Sequence, residues 1–384
     1  MGEIDKGIKL LTLSTSVRWF GWGLGETFIP VFLLLFSGSF FETGLLTSSY
    51  YLIYFLTVPF AGMFADRFSA KKLILFGGII YVFVGLGYYW AGVSGMILFV
   101  ILTRGLNGVS ASIDQIARES YIIRHSAKKD ESKIFGRFDR IANSWWIVGI
   151  ILGLFLIKYF EIHELLLMIA PTSLIAFFII GFFLEEKPLR KKRNLENPYL
   201  KMLREVRNFN GNLRKLAVLT FFFGAMSTIV YYFAPSVAYA AGNSLVSSSI
   251  LVLAYALPLI FSERLGKIAD KTQYRGYYLS LASLIFVLLV LAFSPNYYLL
   301  LISMFFAGAT FEFSGLTNRG FLARNCEMDL IGETDAAMAG IAAFGAILGP
   351  VIFGWLLGVF SPMHSYFGIT GLTLVMFMFV YRVR

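Results

Sequence analysis

Residues 62–72 read Gly-Met-Phe-Ala-Asp-Arg-Phe-Ser-Ala-Lys-Lys, and residues 266–276 read Gly-Lys-Ile-Ala-Asp-Lys-Thr-Gln-Tyr-Arg-Gly. With a shift of 204 residues the two stretches align, so each half of the chain carries a similar charged loop between apolar segments. The matched positions are Gly62 with Gly266, Ala65 with Ala269, Asp66 with Asp270, Arg67 with Lys271, and Lys71 with Arg275. The repeat predicts a membrane protein built from two similar halves. Duplicated architectures of this kind underlie alternating access in secondary transporters, whose substrate site lies between the halves.

The composition of the chain indicates that lipid is its main solvent. Of its 384 residues, 58% are hydrophobic and 15% are charged, whereas a soluble domain carries about 25% charged residues. Twelve apolar stretches are each near or above the roughly 20 residues that a membrane-spanning helix needs. They are 8–36, 44–64, 73–93, 96–117, 141–160, 165–184, 216–240, 245–262, 277–294, 297–318, 337–359 and 365–381. Lipid cannot satisfy open backbone groups, so the predicted fold class is an all-α polytopic membrane protein with twelve transmembrane helices in two six-helix halves.

The longest polar interruption, at 185–214, divides the chain. It predicts an N-terminal six-helix half at 1–184, a cytoplasmic linker at 185–214 and a C-terminal six-helix half at 215–384. Within the linker, the spacing of Leu200, Leu203 and Val206 predicts a short surface helix, and the basic run 190–193 is interpreted as an anchor to anionic lipid.

The net charge of +10 reflects membrane topology. When the N-terminus is placed in the cytoplasm, all of the 33 Lys and Arg except Arg18, Arg104 and Lys158 fall in the terminal tails or the even-numbered loops. This asymmetry is the positive-inside rule. It predicts a multi-pass protein of the plasma membrane with both termini cytoplasmic, in contact with the lipid bilayer and not with nucleic acid.

Several classes of function are disfavoured. The single Cys326 and the scattered His125, His163 and His364 show no metal-ligand spacing, so neither a metal nor a cofactor is predicted. The phosphate-binding loop Gly-x-x-x-x-Gly-Lys-Ser/Thr is missing from the sequence, so energy is expected to come from gradients. An embedded enzyme, such as a lipid-modifying transferase, would need a catalytic constellation that the sequence does not offer, and a sensor would need a soluble domain. The chain is not predicted to be an enzyme.

A second repeat supports the duplication. Residues 136–153 resemble residues 332–349, and each stretch places two glycines four residues apart, in the fifth and eleventh apolar segments. The glycines are Gly149 with Gly153 and Gly345 with Gly349, the latter followed by Pro350. Small residues at this spacing let helices approach closely, so these positions are predicted to pack helices together.

The first repeat resembles the signature of the major facilitator superfamily, Gly-x-Leu-Ala-Asp-Arg-x-Gly-Arg-Lys, and the resemblance covers essentially the whole chain. Gly62, Asp66, Arg67 and Lys71 match, as does Ala65, whereas Phe64, Ser69 and Ala70 replace the usual Leu, Gly and Arg. The second copy, with Gly266, Asp270, Lys271 and Arg275, is weaker. The resemblance implies a monomer that works by alternating access. It also implies a cytoplasmic latch, in which Asp66 contacts the start of the eleventh helix near 334–335. The alternative is that the basic residues only enforce topology.

Two further elements resemble the same family. Arg104-Gly-Leu-Asn-Gly108 is similar to its Arg-x-x-Gln-Gly element, whose arginine is associated with proton transfer in proton-linked members. The antiporter element Gly-x-x-x-Gly-Pro is incomplete in the fifth segment, where Leu154 follows Gly153, and is complete in the eleventh.

Ionisable residues inside spanning segments are expected to be functional, because burying them unpaired costs several kcal/mol. The candidates for proton coupling are Arg18, Glu26, Arg104, Asp114 and Glu312. In the resembled fold, the segments that carry them line the central cavity. At a rise of about 1.5 Å per residue, Glu26 matches Arg104 in depth and Arg18 matches Asp114, which suggests two pairs. Glu312 has no cation at a matching depth. The hypothesis is that Glu26 or Glu312 exchanges a proton; the alternative is that the pairs only hold helices together.

The expected substrate is a small organic molecule. Candidates for the cavity wall are Trp19, Trp22, Tyr231 and Tyr232, with Asn107 as a neutral polar group. An aromatic cavity with few charges suits apolar, aromatic or cationic solutes. The predicted function is therefore secondary export of small organic compounds, of the drug or metabolite/proton antiport type. A facilitator or a proton symporter for a sugar, organic acid or other metabolite is the alternative.

Overall fold

The computed structural model describes residues 6–65, 67–125, 131–185, 197–293, 296–325 and 331–382. Every regular element in these ranges is a helix. The helices before the central linker are α1 (Lys6–Glu26), α2 (Ile29–Ser37), α3 (Phe40–Ala65), α4 (Ala70–Ser94), α5 (Ile97–His125), α6 (Glu131–Leu156), α7 (Ile162–Leu167) and α8 (Ile169–Phe183). Those in and after it are α9 (Pro198–Asn208), α10 (Gly211–Ala240), α11 (Leu245–Ala256), α12 (Ser262–Thr272), α13 (Gly276–Phe293), α14 (Tyr297–Asn325), α15 (Ile331–Val359) and α16 (Pro362–Arg382). Short 3₁₀ segments at Leu257–Phe261 and Gln273–Arg275 flank α12.

The number of membrane spans agrees with the sequence. Eleven helical segments in the described ranges are long and apolar enough to cross a membrane, and the bent pair α1–α2 makes a twelfth. Large apolar side chains such as Phe155, Phe182 and Phe293 are mostly exposed on the outside of the bundle, where lipid would cover them. We call α1–α8 the N-terminal half and α10–α16 the C-terminal half. We call the end of the bundle where α1 begins and α5 and α14 end the basic side, which the charge distribution predicts to be cytoplasmic.

The first span is not the single helix that was predicted over 8–36. It breaks at Thr27 and Phe28, and its two parts meet at an angle of 44°. Pro30 explains the break: it lacks the amide N–H that would bond to the Glu26 carbonyl, and its ring would clash with that carbonyl in a continuous helix, so it lies in the first turn of α2. The break leaves Glu26 as the last residue of α1.

Two other helix boundaries differ from prediction. Helix α5 continues to His125, eight residues past the predicted end, so Arg118 is a buried helical residue and not part of a solvated loop. The eighth span, predicted to end at 262, continues through a 3₁₀ segment and α12 to Thr272. The second charged repeat is therefore largely helical, whereas the first runs from the last turn of α3 through a turn at 67–69 into the start of α4.

The linker contains the predicted surface helix. Asn197 caps α9 by accepting hydrogen bonds from the amides of Tyr199 (3.0 Å) and Leu200 (3.5 Å), and no residue of α9 is buried. Tyr199 ties the helix to α3 by donating to the Leu56 carbonyl at 2.5 Å. The basic run 190–193 lies outside the described residues, and the domain boundaries stay a prediction.

The repeated glycines bring two pairs of helices into close contact, α6 with α1 and α15 with α10. A Cβ atom at Gly149 would lie 2.3 Å from the Phe20 carbonyl oxygen, and one at Gly153 would lie 2.2 Å from that of Leu24. In the other half, a Cβ at Gly345 would lie 2.1 Å from the Phe221 oxygen, and one at Gly349 would lie 2.8 Å from that of Ala225. Both halves thus use the same glycine spacing for the same backbone approach. Pro350 lies within α15, which continues through it.

Candidate functional site: a cavity between the halves

A cavity of about 490 Å³ lies between the two halves. Helices α1, α3, α4, α5 and α6 form one wall, and α10, α11 and α14 form the other. The predicted wall residues Trp19, Trp22, Asn107, Tyr231 and Tyr232 all line it. The wall combines aromatic side chains with eight charged residues, so the cavity carries more charge than the sequence predicted. A concave site with apolar and aromatic surface and convergent polar groups is typical of a small-molecule site.

Glu26 lines the cavity and is held by a neutral partner. The indole Nε1 of Trp146 donates a hydrogen bond of 2.9 Å to its Oε2. Among the described residues, no Lys, Arg or His nitrogen lies within 4.0 Å of this carboxylate. The end of α1 also offers no electrostatic support, since the C-terminal end of a helix is the negative end of its dipole. The charge of Glu26 is therefore not fixed by an ion pair.

Arg104 is buried, with 1% of its surface exposed, and it too has an unexpected set of partners. Its guanidinium donates to the carbonyls of Leu46 (3.4 Å) and Thr47 (3.1 Å) on α3, and to the Tyr232 hydroxyl (3.3 Å) on α10. It also lies over the ring of Tyr50, with Cζ 5.0 Å from the centroid. Carbonyl dipoles and aromatic faces thus stabilise the cation.

The suggested Glu26–Arg104 pair does not form an ion-pair contact. The reason is local: the bend after Glu26 places its carboxylate against α6, and two backbone carbonyls of α3 take up Arg104. Nothing in the sequence marks Trp146 as the partner of Glu26, because it is one of many aromatic residues and belongs to no recognisable motif.

The suggested contact between Arg18 and Asp114 is present, and it has a third member. Arg18 Nη1 lies 2.6 Å from Asp114 Oδ2. Arg118 Nε lies 2.9 Å and 2.8 Å from the two oxygens of the same carboxylate. Arg118 also donates to Ser14 (3.2 Å) and Thr15 on α1. We call Arg18, Asp114 and Arg118 the arginine triad.

The sequence contained a usable signal for Arg118. Residues four apart on a helix face the same side, and Asp114 and Arg118 have this spacing. The signal was missed because α5 was expected to end at residue 117. All three triad residues are at most 5% exposed, so the carboxylate is locked between two cations.

Glu312, the second predicted proton carrier, lies on α14 and is not one of the described residues that line the cavity. The structure does not bring it together with Glu26. Its role stays a prediction.

Three partly exposed ion pairs join the halves near the basic side. Arg319 of α14 contacts Asp139 on α6 at 2.9 Å and Glu119 on α5 at 3.6 Å. Arg140 of α6 contacts Glu263 on α12 at 2.9 Å. We call these three contacts the inter-half ion pairs. They link the two halves at the basic side, where Glu119, Asp139 and Arg319 line the cavity.

The first copy of the charged repeat lies where α3 meets α15. A Cβ atom at Gly62 would lie 3.7 Å from that of Ala336. The amide of Arg67 donates to the Phe64 carbonyl at 3.0 Å in the turn after α3, and Lys71 lies in the first turn of α4. Asp66 and the side chain at 335 lie outside the described residues, so the predicted latch contact does too.

The second copy has a different backbone. Gly266, Asp270 and Lys271 lie on α12, and Arg275 ends the 3₁₀ segment before α13. The gating role of both copies stays a prediction.

Comparison with families finds one match over most of the chain. The family model described as Major Facilitator Superfamily matches residues 11–334. Among curated proteins, the chain is 23% identical over 381 residues to the quinolone resistance protein NorA of Staphylococcus aureus (strain COL), covering 96% of this chain and 94% of that protein. It is 26% identical over 218 residues to multidrug resistance protein 2 of Bacillus subtilis (strain 168), covering 56% and 54%. This second match spans about half the length of each protein.

Solved structures share the fold. The human organic anion transporter MFSD10 superposes with a TM-score of 0.76 at 14% identity, over 99% of this chain and 100% of that one. A D-xylose-proton symporter also gives a TM-score of 0.76 at 14% identity, over 98% of both chains. At such identities the likeness concerns architecture alone, two six-helix halves with twelve spans.

Proposed function

We propose that this chain, which belongs to the Major Facilitator Superfamily, exports small organic compounds in exchange for protons. Membership of the family makes it a multi-pass membrane transporter rather than an enzyme. Four points go beyond family membership: transport is outward, and the coupling ion is the proton. The protein lies in the plasma membrane with both termini cytoplasmic, and it functions as a monomer.

The observation that carries the proposal is the environment of Glu26. This carboxylate faces the cavity, deep within the membrane-spanning bundle, and its hydrogen-bond partner is the neutral Trp146 indole. Proton uptake and release at Glu26 therefore break no ion pair. Asp114 is the contrasting case, because protonating it would strand two buried guanidinium groups. Glu26 is thus the better proton carrier of the two.

Coupling follows from the cost of enclosing a charge. With Glu26 ionised and no solute bound, closing the cavity would seal an unpaired carboxylate away from water, which costs several kcal/mol. A proton on Glu26, or a solute that offers it a hydrogen-bond donor or a positive charge, removes that cost. The halves then exchange conformations with either a proton or a solute bound, which is the condition for antiport.

The relatives and the cavity wall support a drug-like cargo. The relatives named above are a quinolone resistance and a multidrug resistance protein. In this chain, a cavity of about 490 Å³ with tryptophan and tyrosine walls suits a flat organic molecule of drug size.

The test is purified protein in liposomes with an imposed pH gradient and an internal pH-sensitive dye. The solutes are a quinolone, the lipophilic cation ethidium, and D-xylose. We expect the quinolone or ethidium to trigger proton movement in the opposite direction, and Glu26→Gln to abolish it. Glu312→Gln is the matched control and is expected to retain coupling. If coupling survives Glu26→Gln and disappears in Glu312→Gln, the proton carrier is Glu312 on α14. If coupling survives both substitutions, neither carboxylate carries the proton.

The same assay separates the alternative functions. Solute flux without proton movement would identify a facilitator, and protons that move with D-xylose would identify a symporter. Hydroxyl groups on the cavity wall, from Ser227, Thr228 and Tyr231, are the feature that favours a sugar-like solute.

A further inference from the structure

The arginine triad holds one more positive charge than negative charge. Two guanidinium groups share the single carboxylate of Asp114, and all three side chains are buried. A net charge inside a membrane protein is costly unless something neutralises it. The other acids that line the cavity on the basic side, Glu119 and Asp139, are both engaged by Arg319.

Within the triad, the two arginines are unequally satisfied. The Nε–H of Arg118 donates a bifurcated hydrogen bond to both oxygens of Asp114, and its Nη1 donates to hydroxyl groups of α1. Arg18 is 5% exposed, and neither its Nε nor its Nη1 has a partner in hydrogen-bonding geometry. Its Nη1 lies 2.6 Å from Asp114 Oδ2, so this nitrogen is held by the charge of the carboxylate. The Nε of Arg18 is an unused donor, although buried guanidinium groups normally have their donors satisfied.

Arg18, whose Nε is an unused donor, is one of the side chains that line the cavity. Arg18 lines the cavity, and its guanidinium lies over the ring of Tyr81, with Cζ 4.5 Å from the centroid. This cation–π contact stabilises the charge of the guanidinium. Trp19 and Trp22 line the same stretch of α1, on the way to Glu26 about 12 Å further along the helix axis. The cavity wall thus places the Arg18 cation next to the aromatic surface of Trp19 and Trp22.

We propose that Arg18 binds the carboxylate of an amphipathic aromatic solute, whose ring system lies against Trp19 and Trp22. Guanidinium groups bind carboxylates through two parallel hydrogen bonds, and such charge-assisted bonds are the stronger kind. A bound carboxylate would supply both the missing negative charge and an acceptor for the unused Nε. The inference rests on the proposed function, in that it takes this cavity as the site for organic solutes, and it names their chemical class.

The test compares two solutes of nearly the same shape, 2-naphthoate and its neutral amide, 2-naphthamide. Binding to the purified full chain in detergent is measured by isothermal titration calorimetry, without a pH gradient. We expect the wild type to bind 2-naphthoate at least tenfold more tightly, a difference of about 1.4 kcal/mol. Arg18→Gln is expected to bind the two equally, with its affinity for 2-naphthamide unchanged.

The control variants separate binding from folding. Arg18→Gln leaves Asp114 and Arg118 as a neutral pair, so its thermal unfolding midpoint in detergent should equal or exceed that of the wild type. Arg264→Gln removes an arginine of α12 that does not line the cavity, and it should keep the wild-type preference. If Arg18→Gln fails to fold, Arg18→Lys provides the test: it keeps the charge but loses the planar fork, so 2-naphthoate alone should bind several-fold more weakly.

Three results would overturn the proposal: no preference for 2-naphthoate in the wild type, a preference that persists in Arg18→Gln, or failure of both solutes to bind. These results do not depend on proton coupling, because the assay has no gradient. A chain that prefers 2-naphthoate but shows no proton movement in liposomes would refute the antiport and keep the Arg18 site.

Discussion

The two halves of the molecule share their backbone packing and differ in the chemistry of their cavity walls. Glycines four apart bring α6 onto α1 and α15 onto α10 in the same way. Of the charged residues that line the cavity, however, Arg319 is the single one from the described part of the C-terminal half, and it lies at the basic side. The N-terminal half contributes Arg18, Glu26, Arg104, Asp114, Arg118, Glu119 and Asp139. The two halves thus share a mode of helix packing and differ in the charge of their cavity walls.

This asymmetry has a mechanical consequence. Alternating access requires one half to rock against the other. The arginine triad and the Glu26–Trp146 hydrogen bond each lie within the N-terminal half, so rocking need not break either of them. Charged contacts between described residues that cross between the halves include the partly exposed inter-half ion pairs and the hydrogen bond from Arg104 to Tyr232. Exposed ion pairs are worth about 0–1 kcal/mol each, which lets the cavity open at modest cost.

The largest expected effect comes from stranding the buried charge of the N-terminal half. Asp114→Ala leaves Arg18 and Arg118 without a counter-charge, and removing one partner of a buried ion pair costs about 3–5 kcal/mol. The free energy of unfolding in detergent should fall by that amount. Ser227→Ala, on the cavity wall formed by the C-terminal half, should change the free energy of unfolding by less than about 0.5 kcal/mol.

A double variant checks the cause. Adding Arg18→Gln to Asp114→Ala removes one of the two stranded cations, so it should recover part of the lost stability. A double variant as unstable as Asp114→Ala would mean that packing, and not charge, explains the loss.

The shared packing is tested by alanine at matched glycines. Gly149→Ala and Gly345→Ala would each place a Cβ 2.1–2.3 Å from a backbone oxygen, and overpacking of this kind costs about 1–3 kcal/mol. Gly371→Ala is the control: its Cβ would meet no atom within 4 Å, so helix propensity should make it neutral or stabilising by up to about 1 kcal/mol. Unfolding in detergent measures all three. If only one of Gly149→Ala and Gly345→Ala lowers the stability, the two halves do not depend equally on their close helix contacts.

The sequence predicted the elements that depend on pattern. Twelve spans follow from apolar length, and the paired repeats revealed the two halves. The break at Thr27 followed from Pro30, a signal that was present but hidden within a long apolar run. Arg118 was missed because a polar residue at the end of an apolar stretch reads as loop, although tertiary burial keeps α5 helical to His125.

The partners of the charged residues were harder to predict than their positions. Comparing the estimated depths of charged residues in the membrane correctly predicted the contact of Arg18 with Asp114, since the two lie at a similar depth on α1 and α5. It failed for Glu26 and Arg104, because depth says nothing about rotation around a helix axis or about neutral partners. Trp146 and the carbonyls of Leu46 and Thr47 carry no charge pattern that a sequence could reveal.

The inter-half ion pairs should control how often the basic side opens. Combining Arg319→Gln with Arg140→Gln removes all three, and at about 0–1 kcal/mol per exposed pair we expect the open population to rise by about fivefold. The readout is thiol labelling of Ala111→Cys, a cavity position, in a Cys326→Ser background.

The matched control removes an exposed ion pair that does not cross between the halves. Lys267→Gln breaks the contact of Lys267 with Glu263, 3.5 Å within α12, and should leave labelling unchanged. Equal labelling of the Arg319→Gln/Arg140→Gln variant and the wild type would show that other contacts hold the basic side closed.

The smallest expected effect concerns the charged contact that joins the two walls within the cavity. Tyr232→Phe removes the hydroxyl that accepts from Arg104 at 3.3 Å, and a hydrogen bond of this kind contributes about 0.5–1.5 kcal/mol. Arg104 keeps its two carbonyl partners on α3, so the fold should hold while labelling of Ala111→Cys rises by a few-fold at most. Tyr366→Phe is the control, because the Tyr366 hydroxyl is buried on α16 and has no hydrogen-bond partner among the described residues. If Tyr232→Phe behaves like Tyr366→Phe, the hydrogen bond from Arg104 to Tyr232 contributes nothing measurable to the contact between the two halves.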